Sequence, residues 1–136
     1  MKGRRRAGVL AGACLAAWLV PGLTAANPAC AAAGAHAALV VDTGAAELRM
    51  CVALPESQVS GLEVIALAHE QHGLAYSLGF GGNAVCSLAG VGSTSDDCFE
   101  EYPDFWGYWR GLEGGGWSWS GVGPASTVVG DGDVEG

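Results

Sequence analysis

The hydrophobic pattern from residue 38 onward divides the chain into short elements. Ala38–Val41 is apolar and β-prone, Thr43-Gly44 and the residues up to Glu47 supply a turn, and Leu48–Leu54 resumes with branched and sulfur side chains. That order predicts a hairpin, which Pro55 ends. Ser60 and Glu63 have the spacing of a capping box, in which each side chain satisfies the other's backbone N–H. Leu62, Ile65 and Ala66 then recur at helical intervals, predicting one helix of about ten residues that stops near Gly73. Leu74–Phe80 and Ala84–Leu88 read as strands separated by Gly79, Gly81 and Gly82. Phe105-Trp106-Gly107-Tyr108-Trp109, the Gly114-Gly115-Gly116 turn and Trp117-Ser118-Trp119-Ser120 predict a second hairpin. On its second arm the Trp/Ser alternation predicts a strand with one buried face. Val128-Val129 and the turn Gly130-Asp131-Gly132-Asp133 lead into Val134, after which one more strand is expected; the domain is therefore expected to lack its last strand. Strand, strand, helix and then mostly strands define an α+β domain, with a single helix laid on a mixed sheet.

The first quarter of the chain follows a different grammar. Lys2, Arg4, Arg5 and Arg6 precede Ala7–Val20, an apolar run that ends at Pro21. The run is shorter than the about 20 residues a spanning helix needs, so residues 1–37 read as a signal peptide of the general secretory type. Ala35-His36-Ala37 fits the small-residue cleavage pattern, with a cut before Ala38, and leaves a domain over 38–136 without a membrane span. This predicts a secreted or cell-envelope location.

Export changes the reading of charge and cysteine. Beyond the expected cut only Arg49 and Arg110 are basic, against fourteen acidic residues, all from Asp42 onward. Nucleic-acid binding, which needs a basic face, is excluded on this balance. Cys51, Cys86 and Cys98 remain, an odd number in an oxidising compartment. Cys86 and Cys98 flank a loop rich in Gly, Ser and Asp and are expected to pair, whereas Cys51 is expected to be a buried thiol in an apolar strand.

Candidate chemistry thins out on inspection. His69 and His72 are three apart, not four as a zinc-protease helix requires, and no metal or cofactor is expected. Gly116–Ser120 nearly matches a nucleophile elbow, but it lies in a strand and ends in Ser. Gly79–Ala84 satisfies the loose dinucleotide pattern without a βαβ unit around it. Asp131-Gly132-Asp133 lacks the further carboxylates of a calcium loop. No grouping of base, nucleophile and orienting residue stands out, so the expectation is a protein that is not an enzyme. The aromatic cluster of Phe105, Trp106, Tyr108, Trp109, Trp117 and Trp119 remains as a candidate recognition surface for a planar or apolar ligand.

Several of these motifs occur together in one group of proteins. Val85-Cys86 with its loop to Cys98, Tyr102–Trp109, Trp117-Ser118-Trp119-Ser120, Gly121-x-Gly123 and Asp131–Gly136 resemble exported actinobacterial proteins similar to the transcobalamin-like C-terminal domain, a β-grasp module. The resemblance covers nearly all of the chain after the leader. It implies a β-grasp-like fold and non-catalytic binding of a small ligand, with corrinoids or related vitamins as the precedent. Carried over residue by residue, it implies ligand contacts from Trp106, Tyr108, Trp117, Asp131 and Asp133. A competing expectation is a cell-envelope protein-interaction module that presents an exposed aromatic hairpin to a partner's sheet edge.

Overall fold

The computed structural model describes Cys30 and residues 33–136. Most of the expected leader, residues 1–29, 31 and 32, lies outside the described residues. Strand β1 (His36–Asp42) and strand β2 (Glu47–Ala53) form the predicted first hairpin. A four-residue connection joins them, in which Asp42 Oδ1 accepts from the Gly44 N–H and Thr43 Oγ1 bonds Ala46. A short β3 (Gln58–Ser60) leads into α1 (Gly61–His72). The capping box is present: Ser60 Oγ accepts from the Glu63 N–H, and Glu63 Oε2 accepts from the Ser60 N–H. Gly73 ends the helix at φ 73°, a left-handed conformation that favours glycine.

A three-stranded sheet follows, made of β4 (Tyr76–Gly79), β5 (Ala84–Leu88) and β6 (Val91–Gly92). The second hairpin consists of β7 (Trp109–Gly111) and β8 (Trp117–Trp119). A 3-10 turn at Pro124–Ser126, then β9 (Val128–Gly130) and β10 (Val134–Glu135) complete the described elements. The main sheet has five strands in the order β2-β1-β10-β7-β8, and β9 pairs separately with β3. At its centre β10 runs parallel to β1 and antiparallel to β7, between two antiparallel hairpins. The domain is thus α+β with mixed sheets and one main helix, as expected. Val134–Glu135 itself occupies the position between the first strand and the second hairpin.

Ladder alternation sorts the first hairpin cleanly. Ala37, Leu39 and Val41 pair with Val52, Met50 and Leu48, and all but Leu48 join the core under Val64, Ile65 and Ala68 of α1. Helix α1 packs on β1 and β2. At twelve residues it is about 18 Å long and about 10 Å wide, enough to cover roughly two strands spaced about 4.8 Å apart. The β7–β8 end of the sheet extends past it.

Two expectations change. The second hairpin is shorter than the aromatic run suggests, because residues 105–108 precede β7 as irregular chain. The Trp/Ser alternation does not bury a face either: Trp117 is 46% and Trp119 52% exposed, and Ser118 is exposed as well. Strand β8 is the sheet edge, and its tryptophans lie on the face away from the helix.

The cysteine reading also changes. Cys86 and Cys98 form the expected disulfide, but Cys51 is bonded to Cys30 and is not a free thiol. Ala37 is fully buried, and β1 begins at His36. A cut before Ala38 would remove the first two residues of β1 together with one half of a disulfide, so the fold described here requires a chain that retains Cys30. Counting Cys30 makes the cysteines of the folded part even, as an oxidising compartment favours.

Two measurements follow. Intact-mass analysis of protein isolated from its native host should find Cys30 retained and no free thiol after denaturation. Replacing both Cys30 and Cys51 with Ala should cost about 3 kcal/mol in urea unfolding, the chain-entropy value for a loop of this length, and Ser60→Ala about 1 kcal/mol through the lost cap.

Candidate functional site

Glu135 is an acid in an apolar place. It sits in the middle of the main sheet, 1% exposed, with its side chain on the helix-facing side. Every polar contact it makes comes from far along the chain or across the ladder. Tyr108 Oη donates to Oε2, and Arg110 Nε donates to Oε1 at 3.1 Å. Tyr108 Oη is also 3.0 Å from Thr127 Oγ1, which in turn donates to the Pro124 carbonyl. Arg110 extends the network outward, donating through Nη2 to Asp133 Oδ2 at 3.1 Å and to the Val128 carbonyl at 3.2 Å. Burial pushes the Glu135 carboxyl above its ordinary range, with the Tyr108 and Arg110 contacts pulling against it. Burial, reinforced by the bond to Glu135, pushes the Tyr108 phenol up as well. Gly61 leaves room for this network, since a Cβ there would stand 2.7 Å from Tyr108 Oη.

Beside the network lies a cleft of about 740 Å³. It takes Leu39, Ile65, Tyr108 and Glu135 from the helix-facing side of the sheet, where α1 does not reach across. Val85 and Leu88 contribute from the three-stranded sheet, Phe99 from the residue after Cys98, and Phe105 and Trp106 from the irregular chain that leads into β7. The Cys86–Cys98 bond closes the loop that precedes Phe99, and Ser93 Oγ in that loop donates to Glu100 Oε2, just beyond it, at 3.0 Å. The cleft continues around the sheet end onto the outer face, reaching Val40, Asp42, Trp109, Trp117 and Trp119.

Glycines let the outer rings approach the backbone closely. Trp117 lies so close over Gly136 that a Cβ there would meet its ring at 2.6 Å, and Trp119 stands 2.8 Å from where a Gly107 Cβ would be. Trp109 and Trp119, partners across the β7–β8 ladder, meet edge to face with centroids 5.2 Å apart. Both remain about half exposed, at 41% and 52%. Phe80, Phe99 and Phe105 form a second exposed ring series, with centroids 5.8 and 5.9 Å apart.

The structure brings together three of the five ligand contacts that the resemblance implies. Trp106, Tyr108 and Trp117 all line the cleft. Trp106 is held by its Nε1, which donates to the Val91 carbonyl at 3.1 Å. Asp131 and Asp133 lie elsewhere, for a physical reason. Asp131 Oδ1 accepts from the His36 N–H at 2.9 Å, and Asp133 Oδ2 accepts from the Gly130 N–H at 2.8 Å as well as from Arg110. Their turn therefore serves to position β10 against β1. His69 and His72 are also engaged: His69 Nδ1 lies 2.8 Å from the Leu74 carbonyl, and His72 Nε2 lies 2.7 Å from the Cys51 carbonyl.

Glu135, Phe99 and Asp42 were missed by sequence reasoning. A weak signal for Glu135 existed: with only Arg49 and Arg110 basic from residue 38 onward, an acid next to Val134 had few cationic partners to find. Phe99, isolated next to a cysteine, gave none. Comparison with family models, with curated proteins and with solved structures finds no match for this chain.

The Glu135 shift sets a testable pH dependence. A carboxyl whose folded-state pKa is raised contributes stability that is fully present below the ordinary glutamate range and is lost as pH rises through the raised value. Glu135→Gln mimics the protonated acid. The stability of the unaltered protein minus that of the variant should therefore fall as pH rises above the ordinary glutamate range of about 4, as read by urea unfolding at several pH values.

Proposed function

We propose that this protein is an exported, non-catalytic module that binds a small ligand in the cleft beside Glu135. The observation that carries this reading is an apolar recess of about 740 Å³, walled by rings and fixed at its floor by a satisfied polar network. Pockets that hold small molecules are typically about 300–1,000 Å³, mostly apolar, with a few placed polar groups. The two disulfides fit an oxidising compartment. No helix among the described residues is long and apolar enough to cross a membrane. Glu135 and Tyr108 are engaged in holding β10 to β7, which favours binding over chemistry at those groups. A corrinoid or related vitamin is the ligand class that the family resemblance suggests. Such a ligand is larger than the recess and would place one face against Trp109, Trp117 and Trp119.

A second reading has its own support. On the β2 edge of the main sheet, the Gln71 side chain bonds both the N–H and the C=O of Ala53 at 2.9 Å, and His72 meets the Cys51 carbonyl. That edge is covered. At the opposite edge no described side chain covers β8 in this way. An open edge flanked by exposed tryptophans suits addition of a strand from an envelope protein. Crosslinking in cell-wall extracts tests this reading, and a partner lost on shortening the 109–119 hairpin is the outcome it requires.

For the ligand reading, equilibrium dialysis with cobalamin should show saturable, sub-millimolar binding that weakens about tenfold in Trp117→Ala. Absence of binding by cobalamin removes the corrinoid assignment.

A further inference from the structure

The charge around the cleft narrows the ligand class. Of the described residues that line it, three are acidic (Asp42, Glu47 and Glu135) and none is Lys, Arg or His. Their partners differ. Glu135 is ion-paired with Arg110, which also meets Asp133, and Glu47 is ion-paired with Arg49. Asp42 has no ion-pair partner among the described residues; its Oδ1 accepts from the Gly44 N–H at 2.8 Å. It stands at the end of β1, on the same face of the sheet as Trp109, Trp117 and Trp119.

The physical consequences point one way. An indole face carries negative potential and attracts a cation placed over it, more strongly where water is excluded. Asp42 is exposed, and its carboxylate at the lip of the recess adds a salt-screened attraction of the same sign and repels an anion. The whole chain beyond the leader is acidic, so long-range attraction acts in the same direction. Nothing lining the cleft among the described residues would compensate a carboxylate or phosphate on a ligand.

We infer that the cleft selects a ring-bearing organic cation, whose flat apolar part lies on the tryptophan wall while its positive charge is directed toward Asp42. This rests on the ligand-binding reading above and adds to it the sign of the ligand's charge.

Three small probes separate the two claims: N-methylquinolinium as cation, quinoline as its neutral analogue at neutral pH, and naphthoate as anion. Binding to the full exported chain is followed by tryptophan fluorescence, corrected for probe absorbance. The expected order is N-methylquinolinium about tenfold tighter than quinoline, with naphthoate weakest. Asp42→Asn keeps the acceptor for Gly44 and should weaken N-methylquinolinium several-fold while leaving quinoline unchanged. Added salt should weaken the cation alone. If all three probes bind alike, or if Asp42→Asn leaves the cation's affinity unchanged, the charge selection is overturned and the ligand-binding reading stands. If none of the probes binds, both are overturned. Unaltered circular dichroism in Asp42→Asn would show that any loss comes from the missing charge and not from the fold.

Discussion

A carboxylate taken out of water must be compensated where it lies, and in this protein that requirement organises the centre of the sheet. Strand β10 contributes only Val134 and Glu135, too short a ladder to hold two hairpins together by backbone bonding alone. Backbone bonds help at its ends, where Ala38 N–H donates to the Asp133 carbonyl and Gly136 exchanges both bonds with Trp109. Between them the Glu135 side chain draws Tyr108 and Arg110 toward one point from β7 and the residue before it. Breaking a buried pair by removing one partner costs far more than forming it stabilises, so the contacts to Glu135 are weak grounds for net stability. Arg110 is partly exposed, which reduces that cost.

The position of Tyr108 has consequences on both faces of the sheet. Its ring and hydroxyl point toward α1, and alternation therefore sends Trp109 to the opposite face, against Trp119. The helix covers β1 and β2 and stops short of the β7–β8 hairpin. What remains uncovered is a recess on the helix-facing side and a ring surface on the other, joined around the sheet end. Strand β5 and the chain from Cys98 to Trp106 supply further lining. The same narrow helix that leaves the recess open also guards the β2 edge, through Gln71 and His72 in its last turn.

Much of the fold was legible because its signals are local. The capping box at Ser60 and Glu63, the left-handed Gly73 and the strand Ala84–Leu88 depend on neighbours a few residues away, and each occurs where the pattern put it. The Cys86–Cys98 pair closes a short loop and was readable for the same reason. The Trp/Ser alternation misled, because period-two patterning marks two different faces without saying which of them a neighbouring layer will cover. Cys51 misled because its partner lay upstream of the assumed cut. The candidate site was half legible: the rings announced themselves by composition, whereas the acids Glu135 and Asp42 carried no local mark of their roles.

The amino-acid order by itself determined the helix and its ends, the two hairpins, the acidic balance and the α+β class, since hydrogen bonding and side-chain alternation over short spans suffice for these. Only the tertiary structure decided that Cys51 bonds Cys30, that Glu135 meets Arg110 across 25 residues, and that three tryptophans stay half open to solvent. Those outcomes depend on which layers meet in space and how much area one short helix can cover, quantities to which no window of sequence has access.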